Sequence, residues 1–191
     1  SMLVQDLKPT RFAHAITAAR EIITADFDGE TGLVVFAGHA FVVSPLSRDA
    51  KTLLAFLEAL DPSTMPKDGT RIDLAIGAAQ DLLRASFTGV GQILIITAGS
   101  SADAGAALPA ALIAAGQGHR VSVLPVGTAQ GGPLTDASGR LLRDKNGRYV
   151  LHRTDLELLQ RVARAGKGTS VVLNGNGGHG ELLISRLGAN Q

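Results

Sequence analysis

The 191-residue sequence predicts an α/β domain with a mostly parallel central sheet, one antiparallel edge strand, and helices on both faces. Three observations carry this. Apolar runs at Gly32–Phe36, Gln92–Thr97 and Arg120–Val126 read as strands buried on both sides. Between them, apolar residues recur at three- and four-residue spacing, the period of an amphipathic helix. Strands that alternate with helices build parallel sheets.

The elements follow in order. Thr10 precedes a helical pattern of Phe12, Ala13, Ile16, Ala19, Ile22 and Ile23, which Asp28-Gly29 ends. The strand Gly32–Phe36 connects through Ala37-Gly38-His39 to a second at Ala40–Val43, and so short a link requires an antiparallel hairpin. Ser47 is placed to cap a helix from Arg48 to Leu60. The loop Met65–Thr70 leads into a helix over Ile72–Arg84. After the Gln92–Thr97 strand, a helix covers about Ala106–Ala115 and a strand Arg120–Val126. Residues 127–153 form an insertion, read as a hairpin of Arg140–Arg143 and Arg148–His152 turning at Asn146-Gly147. Thr154 then caps a helix to Ala165. Thr169–Leu173 is a last strand, Gly175–Gly180 a glycine loop, and Glu181–Leu187 a short helix. The expected core is Val34, Val35, Phe36, Leu94, Ile95, Ile96, Val121, Val123 and Val171. With no internal repeat and no long linker, residues 1–191 read as one domain.

Composition narrows the function. A net charge of +1 and 4% aromatic residues without tryptophan argue against a nucleic-acid partner. The absence of cysteine excludes disulfides and thiolate chemistry. No apolar run reaches the ~20 residues that span a bilayer. Gly175-Asn176-Gly177-Gly178-His179-Gly180 fits a dinucleotide fingerprint, but too little chain follows for the second strand and its acidic ribose ligand. His14, His39, His119, His152 and His179 lack metal-ligand spacing. Ser100 and Ser101 lie in no nucleophile motif and read as loop residues capping the next helix. Asp68 reads as a turn former beside Gly69, and Asp103 as a remote candidate ligand.

Several phrases together resemble a von Willebrand factor A domain of the bacterial BatA/BatB type. They are the segment Ser1–Arg11, the runs Gly32–Gly38 and Ala40–Leu46, the loop Pro66–Thr70, and the insert containing Asp144-Lys145-Asn146-Gly147. The resemblance implies a Rossmann-like fold and a metal-ion-dependent adhesion site built from three loops. Such a site offers Mg²⁺ hard oxygen ligands and leaves a position for a partner's carboxylate. Carried over residue by residue, Ser1 matches the last serine of the first loop and Thr70 the threonine of the second. Ala98 stands where the third loop carries an aspartate, and alanine cannot ligate. The interaction face implied comprises Ser1, Met2, Asp68, Gly69, Thr70, Ala98, Gly99 and Ser100.

The expectation is therefore a non-enzymatic protein-interaction module with a degenerate metal site and no bound cofactor. Its membrane attachment would come from flanking helices outside this chain, in a bacterial membrane-associated protein. The resemblance also implies a central strand ahead of Ser1, so the sheet is expected to lack that strand. Self-association through the gap is expected, with Leu3–Leu7 as one candidate for the donated segment. The rival reading is a small-molecule-binding or hydrolytic α/β enzyme, which would need a perturbed carboxylate or histidine in a deep pocket.

Overall fold

The computed structural model describes residues 2–4, 6–25, 29–61, 69–86, 89–99, 106–136 and 140–173. Helix α1 spans Arg11–Thr24, capped by Thr10 Oγ1 accepting from the Ala13 N–H at 3.1 Å. Strands β1 (Thr31–Phe36) and β2 (Ala40–Ser47) pair antiparallel, as the short link requires. Helix α2 is Ala50–Glu58. Its cap is Asp49, not Ser47: the carboxylate accepts from the Thr52 N–H at 3.1 Å, and Ser47 Oγ instead accepts from the Asp49 N–H. Helix α3 covers Ile72–Arg84, β3 Gln92–Thr97, α4 Ala107–Gly116 and β4 Arg120–Pro125. After the insert, with β5 (Gly132–Pro133) and β6 (Leu151–His152), come α5 (Leu156–Ala165) and β7 (Lys167–Ser170). Asp155 caps α5 by accepting from the Leu158 N–H at 2.9 Å. Thr154, expected as that cap, turns its hydroxyl to the Val126 carbonyl. Strand β7 starts two residues earlier than expected, and its extension reaches Leu173, which bridges to Val126. The glycine loop and the last expected helix lie outside the described residues.

Strands β3, β4 and β7 form a parallel sheet in that order, and β1 with β2 forms a separate one. Helix α3 shows how the two relate. Gly32, at the start of β1, lies against Leu82, and Gly91, just before β3, against Leu83, both in the last turn of α3. At the other end, Arg71 N–H donates to the Ala37 carbonyl after β1, and Gly99 after β3 lies against Ile72. Both strands thus run opposite to α3 and parallel to each other, yet no ladder joins them. Gly91 and Thr97 give their carbonyls to Arg120 and Val126 on the β4 side. The alternation of a strand then turns the backbone groups of Gln92, Leu94 and Ile96 toward the open edge.

This division lies where a central strand was expected to be missing, and it explains the core. Ile95, Val121, Val123 and Val171 are buried as expected. Val34, Val35, Phe36, Leu94 and Ile96 are only half-buried, because they border the unjoined edges. The main core packs Ile72 and Ile76 with Ile93, Ile95, Ala111, Val121, Val123, Leu159 and Val162. A second cluster sets Ala15 and Ala18 of α1 against Leu124, Val126, Val171 and Leu173.

Candidate functional site

The carboxyl ends of β1 and β3 converge on the start of α3, the place where parallel α/β sheets present ligands. Gly69 takes φ +134°, and a Cβ there would stand 3.2 Å from Gly38 Cα. Only glycine allows both that backbone angle and so close an approach to the β1–β2 turn. Thr70 is buried, and its carbonyl accepts from the Ile72 N–H at 3.0 Å. Ala98 is 2% exposed, and Gly99 beside it is buried. The Gly99 N–H donates to Thr97 Oγ1 at 3.1 Å, while its carbonyl accepts from the Asp155 N–H at 3.0 Å. Gly69, Thr70, Ala98 and Gly99 therefore share one end of the domain. Met2 packs against the α1 cluster, and Ser1, Asp68, Ser100, Ser101 and Asp103 lie outside the described residues.

Of the described residues at this end, Gly69, Ala98 and Gly99 offer a divalent cation no side-chain oxygen. Ala98 brings a methyl group where a hard-cation site needs an oxygen. Two nearby carboxylates have other tasks. Asp73 is gripped by Arg71 at 2.8 and 2.6 Å, and Asp155 caps α5. Among the described residues, no three His, Asp or Glu side chains gather as a metal site would require.

A second cluster, not foreseen in the sequence, sits beyond the end of β4. Arg11 is fully buried and holds Asp6 through two bonds, at 2.8 and 2.7 Å. It also donates to His152 Nδ1 at 2.9 Å and to the His152 carbonyl at 3.1 Å. A guanidinium can only donate, so Nδ1 is the bare nitrogen of a neutral ring. Asp6 Oδ2 further accepts from the Thr128 N–H and hydroxyl, both at 2.8 Å. Gly127, at φ +118°, passes so close that a Cβ would lie 2.5 Å from Arg11 Nε. Burial alone would raise the Asp6 pKa, but the bonds from Arg11 and Thr128 overcome it and hold the carboxyl well below the usual range. Burial first, and then the Arg11 charge, lower His152 to about 4. The cluster ties the N-terminal segment to α1, to the loop after β4 and to the base of the insert. Arg11 and Asp6 were legible only as part of a resembling phrase, since five-residue spacing across a loop is no motif.

The sequence profile described as the von Willebrand factor type A domain matches residues 1–101, more than half of the chain. This chain is a member of the von Willebrand factor A family. The solved structure of BatB from Bacteroides thetaiotaomicron is 30% identical, covered over 99% of this chain and 92% of that one, at a TM-score of 0.89. An aerotolerance-related membrane protein from Bacteroides fragilis NCTC 9343, carrying multiple mutations to serines, is 28% identical. It is covered over 99% of this chain and 94% of that one, also at a TM-score of 0.89. Proximal thread matrix protein 1 of the mussel byssus, 11% identical with a TM-score of 0.59, shares the fold alone. None of the curated proteins matches this chain. Among the described residues of this von Willebrand factor A domain, no helix is long and apolar enough to cross a membrane.

Proposed function

We propose that this von Willebrand factor A domain is a non-enzymatic protein-interaction module, in a bacterial membrane-associated protein, that engages its partner without a metal ion. The observation that carries the reading is Ala98, buried just after β3 and next to Gly99, which lies against Ile72; the family's third loop would place a carboxylate at this position. The names of the Bacteroides relatives, one an aerotolerance-related membrane protein, support the membrane setting. The rival enzymatic reading finds little support. Asp6 and His152, the groups with the strongest shifts, are locked on Arg11 as a permanent anion and a neutral ring. Neither titrates near neutral pH, where a general acid or base must work.

Affinity capture with the domain as bait, with and without a chelator, tests this. Prey retained in the chelator, and lost when His39→Glu places a charge on the turn beside Gly69, supports the reading. Capture that depends on Mg²⁺, or that ignores the strand-end face, overturns it.

The gap between β1 and β3 favours a further role in assembly. Among the described residues, β1 and β3 each leave one edge without a strand partner, and two parallel edges of this kind suit one inserted extended segment. We infer that a second copy supplies it. Leu3–Leu7 is not the donor: Val4 is buried, its carbonyl accepts from the Arg11 N–H, and the Met2 carbonyl accepts from the Phe12 N–H at 2.9 Å. A segment so anchored is not free to extend.

A further inference from the structure

The insert holds the expected hairpin turning at Asn146-Gly147 and adds a further strand to it. Its three strands meet at a closed ring of backbone bonds. Leu134 N–H donates to the Val150 carbonyl at 2.8 Å, Val150 N–H to the Leu142 carbonyl at 3.0 Å, and Leu142 N–H to the Leu134 carbonyl at 2.8 Å. Three arms leave this junction. One is the stem, where Gly132 and Pro133 pair with His152 and Leu151. The second pairs Thr135 with Leu141, and the third pairs Arg143 with Tyr149. Side chains alternate along a strand, so Leu134, Leu142 and Val150 share one face. Pro133, Leu141, Arg143, Tyr149 and Leu151 share the opposite face, and all five are exposed.

That face has the composition of a binding surface. Leu141, Tyr149 and Leu151 are 45, 47 and 49% exposed, three large apolar side chains shown to solvent on one face. Arg143 stacks on the Tyr149 ring, with its carbon 4.1 Å from the centroid, and donates to the Tyr149 hydroxyl at 2.8 Å and the Gly147 carbonyl at 2.6 Å. A Tyr–Arg pair fixed in this way is a preorganised anchor, the residue types that dominate interface energies.

Charge selects the occupant. Residues 132–153 hold five basic and two acidic residues, a net +3 in a chain whose net charge is +1. Arg140 and Arg148 are paired with Asp136 and Asp144, so the excess falls on Arg143, Lys145 and Arg153. Two such surfaces repel, which disfavours a second copy docked face to face. The tip Asp144-Lys145-Asn146-Gly147 is polar, and the apolar residues lie on a flank, which suits a docked chain better than insertion into lipid.

We propose that this flank of the insert is a second docking surface, for an acidic peptide segment with apolar side chains on a partner protein. It deepens the interaction-module reading and rests on it. Selection of a random displayed peptide library on the whole domain, followed by binding of the enriched peptides to variants, tests it. Enriched peptides should be acidic and apolar, and Tyr149→Ala and Arg143→Glu should each weaken them by about tenfold or more. Both substitutions lie on exposed positions outside the core, and an unchanged circular-dichroism melt verifies the fold. Peptides without acidic residues, or binding indifferent to both variants, overturn the proposal. If those peptides are instead displaced by His39→Glu, the interaction module stands and only the second surface falls. Binding to phosphatidylglycerol vesicles that Tyr149→Ala abolishes, with no peptide enriched, would make the surface a lipid contact and overturn the proposal too.

Discussion

Arg11 and Asp6 meet fork to fork, at 2.8 and 2.7 Å, with the arginine fully buried and the aspartate side chain 5% exposed. Removing one partner leaves the other as an unpaired buried charge. Arg11→Ala is expected to cost about 3–5 kcal/mol in urea unfolding. Replacing both residues together with apolar ones of similar volume should cost less than Arg11→Ala alone. A double variant as damaged as the sum of its singles would show that the pair is not coupled.

His152 makes stability depend on acid. Its pKa falls from 6.5 to about 4 in the folded state, so between these values the unfolded chain binds more protons. Stability is therefore complete above pH 6.5 and declines as pH falls toward 4, by roughly 1–3 kcal/mol. Asp6, whose folded pKa is also lowered, adds a further loss below its ordinary 3.8. Urea midpoints at pH 7 and 5 should differ in the wild type and converge in His152→Gln.

Gly69→Ala puts a Cβ against Gly38 at a backbone angle that L residues avoid. A loss of about 1–3 kcal/mol is expected, with chemical-shift changes concentrated at residues 37–39 and 69–72. Gly77→Ala, in α3 with open space around it, is the control and should be neutral or mildly stabilising.

Ala98→Asp should not by itself create a cation site. One added carboxylate provides too little fixed charge to hold Mg²⁺. Calorimetric titration with Mg²⁺ or Mn²⁺ should give no saturable heat in the wild type or in this variant. A sub-millimolar dissociation constant lost in Thr70→Ala would refute the degenerate-site reading.

The chain should associate with itself through the gap between β1 and β3. Light scattering is expected to report a species larger than a monomer at tens of micromolar. Proline at Leu94, whose N–H faces the open edge, should shift it toward monomer. A cooperatively folded monomer at that concentration would show that the gap needs no second copy.

The order of strands and helices was legible because each element carries its own period, and α3 and β3 were read to the residue. The caps of α2 and α5 were misplaced by one or two residues, because Ser47 and Asp49, like Thr154 and Asp155, are all competent caps and only tertiary geometry chooses. The half-buried state of Val34–Phe36 was not legible, since an apolar run does not reveal whether its neighbour is present. At the candidate site, the gathering of Gly69, Thr70, Ala98 and Gly99 at one end was legible through the family resemblance. The Arg11–His152 bond was not, because it links residues 141 apart. The ring at Leu134, Leu142 and Val150 was equally hidden, since Asn146-Gly147 announces one turn and says nothing of a third strand.

The unjoined sheets also bear on how the molecule opens. β1, β2 and α2 adjoin the rest mainly through α1 and α3, with no strand ladder to transmit cooperativity. Such a half can unzip while the β3–β4–β7 half keeps its amides shielded. Native-state hydrogen exchange should then show two classes of protected amide. Those of Leu33 and Val35 would exchange through a partial opening, and those of Val121 and Val123 only when the whole chain melts.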